Sequence, residues 1–352
     1  MIEVIPKHVF SVNRQFPAKN RSSGISVVNH TIPRDILKNR NSNYTASKNL
    51  SYNSPIMNYR RFNFIGLILL LGLTSCAPAQ TNPNPGASAA AAYIQNKGSD
   101  TMVNLALAWA ERYQNTHPSV RISVTGGGSG TGLAALINGT VDICNASRQI
   151  TQDEIKQAKA NGIDPVEFVV SRDAIAVVVN PSNPVKQLTL QQISDIYTDK
   201  IHNWSELGGE NRPIVRLSRE TNSGTHVYFL DTVIRLGQSN NKEIFSADTL
   251  LLPSSEGIIA EVSDNPNAIG YDGLGYITPD VKKLAVAKDP KKGYILPTID
   301  TVTQGTYPIA RQLFMYTKGK PTGAIKDYMT WIAGAEAQKI VLDLGFVPAI
   351  NP

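Results

Sequence analysis

Three short segments combine glycine with hydroxyl side chains: residues 98–101 (GSDT), 126–132 (GGGSGTG) and 219–225 (RETNSGT). Each runs into a stretch with helical patterning. The first turn of a helix exposes unpaired N–H groups, and the macrodipole is positive there. Glycine lets backbone approach an oxyanion closely, and Ser and Thr add O–H donors. Such a turn is a ready anion site. One alone reads as ordinary N-capping. Three in one chain, two of them sharing Ser-Gly-Thr, point to a common anionic ligand. Two arginines are placed to join them. Arg219 lies four residues before Ser223, and Arg148 follows Ala146-Ser147. Either can fork onto an anion, or form a surface ion pair instead.

Other chemistries fit less well. A P-loop needs Lys-Ser or Lys-Thr after its glycines, and Gly132 is followed by Leu133 and Ala134. A dinucleotide fingerprint forced from Gly130, Gly132 and Ala135 lacks a clear acidic partner about 20 positions on, where Asp153 and Glu154 open a predicted helix instead. Two cysteines exclude a disulfide framework and a Cys-rich zinc site. Of these, Cys144 reads as a small buried hydrophobe between Ile143 and Asn145. A serine nucleophile at Ser223 or Ser129 would need a general base. Of the five histidines only His226 is near one of them in sequence. No metal or cofactor is expected.

The elements that must hold these turns alternate in type. Strands are predicted at 121–125, 174–179, 214–217, 268–271 and 312–316. The run 174–179 (AIAVVV) is apolar throughout, as in a strand buried on both faces. Helices are predicted at 102–114, 133–138, 153–160, 190–197, 227–236, 257–262, 324–333 and 336–344. Thr151 with Glu154 and Thr189 with Gln192 form capping-box pairs. Gly139 and Gly162 stand where C′ glycines end helices. This alternation predicts an α/β architecture with mainly parallel sheets.

The chain has 352 residues and a net charge of +6, which would suit a nucleic-acid or membrane partner. The excess sits at one end. Residues 1–75 hold ten of the 34 basic and two of the 28 acidic residues, so the remainder carries −2. Nucleic acid therefore drops out as a partner. Within that end, Arg60 and Arg61 precede the apolar run 62–73, and Leu73-Thr74-Ser75-Cys76 follows. The run is too short to span a bilayer, which needs about 20 residues. A basic segment, a short apolar run and small residues make a secretory signal peptide. LTSC resembles the bacterial lipobox, in which the Cys becomes the lipidated first residue. Residues 57–75 are thus expected to be a lipoprotein signal peptide, with Cys76 lipidated. Residues 1–56 are then a disordered extension or a mis-assigned start, translation beginning at Met1 or Met57. Residues 76–92, rich in Ala, Pro and Asn, read as a flexible tether.

The motifs GSDT, GGGSGTG, DICNASR, VVVNPSNPV, LTLQQISDIYTDKIHNWSELGG, RETNSGT and NPNAIGYDGLGY occur in this order across roughly residues 93–350. Together they resemble the phosphate-binding proteins of high-affinity phosphate ABC transporters, most specifically over residues 174–225. The resemblance implies a two-lobed periplasmic-binding-protein fold of type II. Its lobes would be residues 93–175 with 270–352, and 176–269, joined by hinge strands near 170–179 and 268–275. It implies phosphate contacts at Ser99, Asp100, Thr101, Ser129, Gly130, Thr131, Ser147, Arg148, Arg219, Ser223, Gly224 and Thr225. Some members place Asp after the Ala-Ser, where it accepts the proton of hydrogen phosphate; here Arg148 stands there. Asp100 and Asp173 are the remaining acceptors by position, and nothing in the sequence chooses between them.

The expected protein is a periplasmic, lipid-anchored monomer. It binds inorganic phosphate, passes it to transmembrane permease subunits of an ABC transporter, and makes or breaks no bond. The alternatives are a binding protein for sulfate, arsenate or molybdate, an exported serine-dependent hydrolase, and a phosphate sensor or adhesion protein of the same fold.

Overall fold

A computed structural model describes residues 91–349. The extension, the signal peptide, Cys76 and most of the tether lie outside the described residues. The first elements are β1 (Ala92–Gly98), α1 (Val103–Thr116), β2 (Val120–Thr125), α2 (Ser129–Ile137), β3 (Ile143–Ala146), α3 (Gln152–Ala160) and β4 (Val166–Val179). Then come β5 (Gln187–Thr189), α4 (Leu190–Tyr197), β6 (Val215–Arg219), α5 (Gly224–Phe229), β7 (Leu250–Leu252), α6 (Ser255–Asp264) and β8 (Ala268–Gly273). The chain closes with β9 (Lys282–Lys283), β10 (Ala285–Ala287), α7 (Ile299–Thr303), β11 (Ala310–Thr317), α8 (Gly323–Ile332), α9 (Ala335–Asp343) and β12 (Val347–Pro348).

The main sheet runs β2-β1-β3-β11-β4-β8-β6-β7. It is mixed, not mainly parallel. β1 pairs in parallel with β2 and β3, and β6 with β7 and β8, but β11 and β4 run antiparallel to their neighbours. The antiparallel pairs arise where distant segments meet in the middle of the sheet. Helix–strand alternation along the chain does not reveal such pairings.

β4 is the spine. Its first part, Val166 to Ala174, pairs with β11, and its last part, Ile175 to Val179, pairs with β8. Residues 174–179 are fully buried, as an apolar run flanked on both faces requires. Ala176 and Val178 pack with Leu217, Ile258 and Val262 on one side. Ile175, Val177 and Val179 pack with Ile193, Phe229 and Tyr271 on the other. Each larger side chain so buried contributes about 1.5–3 kcal/mol.

Both capping boxes form, at Thr151/Glu154 and Thr189/Gln192. Gly139 and Gly162 have φ of +70° and +76° one residue past their helix caps. Two differences matter for the site. First, α2 begins at Ser129 rather than at 133, so the glycine turn supplies the helix's first turn. Second, β10 pairs in parallel with β5, and β9 pairs antiparallel with the end of β4. Residues 282–287 therefore pack beside 176–197. Short strands of two and three residues carry too little periodicity to signal this return.

Candidate anion-binding site

The three turns meet. The chain between β1 and α1 brings Thr101, the start of α2 brings Ser129, the end of β3 brings Ser147, and the start of α5 brings Thr225. Thr101 Oγ1 and Thr225 Oγ1 lie 2.7 Å apart. Ser129 Oγ lies 3.2 Å from Ser147 Oγ and accepts the Ser147 N–H at 3.0 Å. All four residues are buried. Ser223 caps α5, its Oγ accepting the Thr225 N–H at 3.2 Å. This helix continues as a π-helical turn from Leu230 to Ile234.

Gly224 fits because it has no side chain. A Cβ there would stand 2.4 Å from Ser129 Oγ and 2.6 Å from Ser147 Oγ. Gly128, which precedes α2, has φ of +87°, a region costly for other residues. Ser99 Oγ is buried and has no hydrogen-bond partner among the described residues. Buried hydroxyls seldom lack one.

Arg311, on β11, is the cation of this cluster and was not singled out in sequence. Its Nη2 donates to Thr225 Oγ1 at 2.9 Å, to Thr101 Oγ1 at 3.4 Å and to Asp173 Oδ2 at 3.0 Å. Its Nη1 donates to the Ser147 carbonyl at 3.0 Å. The guanidinium carbon also lies 5.6 Å from the Tyr228 ring centre, within cation–π reach. Asp173 is fully buried. Burial pushes its carboxyl above the ordinary range, and the Arg311 charge offsets this only in part. No motif marks it in the sequence: Arg311 stands just before the strand expected at 312–316 and beside the exposed Gln312.

The two arginines named from sequence have other partners. Arg148 donates to Glu154 through both η nitrogens, at 2.8 and 2.7 Å. Glu154 is also the capping-box acid of α3, so this fork braces a helix start. Arg219 is fully buried and donates to Asp100 Oδ2 at 3.0 Å, Pro253 O at 2.9 Å, Ser255 Oγ at 2.8 Å and Asp272 Oδ2 at 3.3 Å. Its guanidinium ties α6 and β8 to Asp100. Asp100 in turn accepts the Gly127 N–H at 2.8 Å. Gly130 donates its N–H to Asn222 O at 2.9 Å, and Thr131 Oγ1 lies 3.4 Å from Asn222 Nδ2. These two residues thus meet the 219–225 turn at its rim.

His226 does not serve a serine of the cluster. Its Nδ1 lies 3.1 Å from Ser218 Oγ, which in turn lies 2.6 Å from Tyr271 OH. Burial holds its pKa below the usual histidine value. A cleft of about 330 Å³ reaches Ser147 and Arg311 from outside and is also lined by Arg148, Tyr228 and Phe314. Buried donors, helix starts and one paired cation suit a small oxyanion.

Comparison with known proteins gives a consistent picture. Residues 83–336 match the family model described as a PBP superfamily domain. The phosphate-binding protein PstS of Bacillus subtilis (strain 168) is 33% identical over 267 residues, covering 76% of this chain and 84% of that protein. PstS of Pseudomonas aeruginosa is 29% identical over 279 residues, covering 74% and 84%. Among solved structures, a Clostridium perfringens protein described as a phosphate ABC transporter substrate-binding protein, with bound phosphate, superposes with a TM-score of 0.66. It is 31% identical, and the match covers 73% of this chain and 100% of that one. An ABC-type phosphate transport receptor from Vibrio cholerae gives 0.59 at 27% identity, covering 72% and 99%.

Proposed function

Because this chain belongs to the phosphate-binding, substrate-binding proteins of ABC transporters, we propose that its hydroxyl cluster holds inorganic phosphate outside the plasma membrane for delivery to a transmembrane permease. One observation carries the assignment to these residues: Thr101, Ser129, Ser147 and Thr225 converge on one buried cluster with Arg311. Phosphate is dehydrated there and held by hydroxyls, by backbone N–H groups at the starts of α2 and α5, and by the Arg311 fork. Ser99, Ser223 and Gly224 complete the lining.

Arg219 and Asp100 act from behind, tying the turn at 219–225 to the glycine turn. Arg148 braces α3 at the mouth. The body carries −2 overall, so capture depends on local donors and one placed cation rather than on global charge.

In this reading the protein has two lobes. One holds residues 93–175 and the segment from β11 onward. The other holds 176–269 and the β9–α7 segment. β4 and β8 form the hinge, and the lobes close over phosphate by hinge motion. The protein is a monomer held to the membrane by a lipid on Cys76, works in the periplasm or cell envelope, and catalyses no reaction.

Equilibrium dialysis of the purified protein with labelled phosphate tests the binding. One saturable site is expected, and no retention contradicts it. A parallel phosphatase assay separates the hydrolase alternative, and hydrolysis that is lost in Ser223→Ala would favour that alternative. Mass spectrometry of the native protein is expected to find acylated Cys76 at its N-terminus.

A further inference from the structure

We propose that Asn222 is a clasp between the two ligand-bearing turns, and that it sets how slowly phosphate leaves. The inference rests on the phosphate-binding reading above. Asn222 lies in the turn between β6 and α5, one residue before Ser223. Its side-chain Nδ2 donates to the Gly127 carbonyl at 3.0 Å and toward Thr131 Oγ1 at 3.4 Å. Its own carbonyl accepts the Gly130 N–H at 2.9 Å. Ser129 lies between these contacts on one side, and Ser223 to Thr225 follow directly on the other. The clasp thus joins the two turns beside the hydroxyls they present.

The surfaces are matched at close range. A Cβ at Gly128 would stand 2.8 Å from the Asn222 carbonyl oxygen, and one at Gly130 would stand 3.2 Å from it. The glycines of this turn therefore admit Asn222 as well as a ligand. Asp100 makes a second tie between the same turns through Gly127 and Arg219. Asn222 is exposed, so shortening it leaves no cavity and no unpaired buried charge.

The kinetic consequence follows from when these bonds exist. In the hinge-closure reading above, phosphate enters while the turns are apart, before Asn222 has its partners. It leaves only after those bonds break. Asn222 is therefore a positioning residue that acts on dissociation and not on encounter.

Stopped-flow measurement of phosphate association and release with the purified protein and Asn222→Ala tests this. A net hydrogen bond is worth a factor of about 2–12. The variant is expected to release phosphate about tenfold faster, with an unchanged association rate and an unchanged melting temperature without phosphate. An unchanged release rate in a variant that binds phosphate would overturn the clasp alone. So would slower association with release unchanged. Wild-type protein that binds no phosphate would overturn both the clasp and the reading beneath it.

Discussion

Arg311 Nη2 donates to Thr225 Oγ1 at 2.9 Å, across 86 residues of sequence. The same nitrogen donates to Asp173 Oδ2 at 3.0 Å, so the cation is aimed by a carboxylate on the neighbouring strand β4. A fork fixed from behind can address an anion without reorganising. Arg311→Lys keeps the charge and loses the fork. Phosphate affinity is expected to fall roughly 10- to 150-fold, the worth of one charge-assisted bond. Binding assays on the two proteins check it, and equal affinity would remove Arg311 from the site.

Gly224 gives a steric prediction. An added methyl meets two buried hydroxyls, Ser129 Oγ and Ser147 Oγ, at 2.4 and 2.6 Å. Gly224→Ala is expected to abolish phosphate binding and to cost about 1–3 kcal/mol of stability through overpacking. Dialysis and urea unfolding measure the two effects. A variant that binds normally would show that α5 does not approach this closely.

Arg219 separates a structural role from a ligand role. Its donors go to Asp100, Asp272, Ser255 and Pro253. Arg219→Met strands the fully buried Asp272, and breaking a buried ion pair costs about 3–5 kcal/mol. The loss is expected in urea unfolding without phosphate. Unchanged stability combined with lost binding would return Arg219 to the list of direct contacts.

Glu154 predicts part of the acid limb of stability. Burial alone would raise its carboxyl, but Arg148 and the Thr151 backbone N–H outweigh that and hold it below the ordinary value of 4.5. The folded pKa is depressed, so its stabilisation is present above the unfolded pKa and lost as pH falls through the folded one. Glu154→Gln is expected to lower the melting temperature near about pH 7, with the deficit shrinking toward about pH 3. A deficit that is constant with pH would refute the ion pair's contribution.

Much of this arrangement was legible in the sequence. The three turns announce themselves because Gly, Ser and Thr at a helix start have few other uses in combination. The run AIAVVV signals the buried end of β4, and the capping boxes fix α3 and α4. Long-range pairing was not legible. Arg148 and Arg219 can each fork onto an anion or form an ion pair, and only the fold brings Glu154, Asp100 and Asp272 against them. Arg311 stays hidden for the converse reason. It lies in a strand with no motif around it, and only the meeting of β11 with β3 and β4 carries it to Thr101 and Thr225. The mixed sheet escaped notice because strand direction is set by partners far along the chain.

The most direct test is calorimetric titration of the purified protein and Arg311→Met with phosphate, with sulfate and molybdate run alongside. Saturable binding of one phosphate per chain is expected, with its loss in the variant. Wild-type protein that gives no binding heat with phosphate but saturates with sulfate or molybdate would contradict it, as would a variant that binds phosphate as tightly as the wild type.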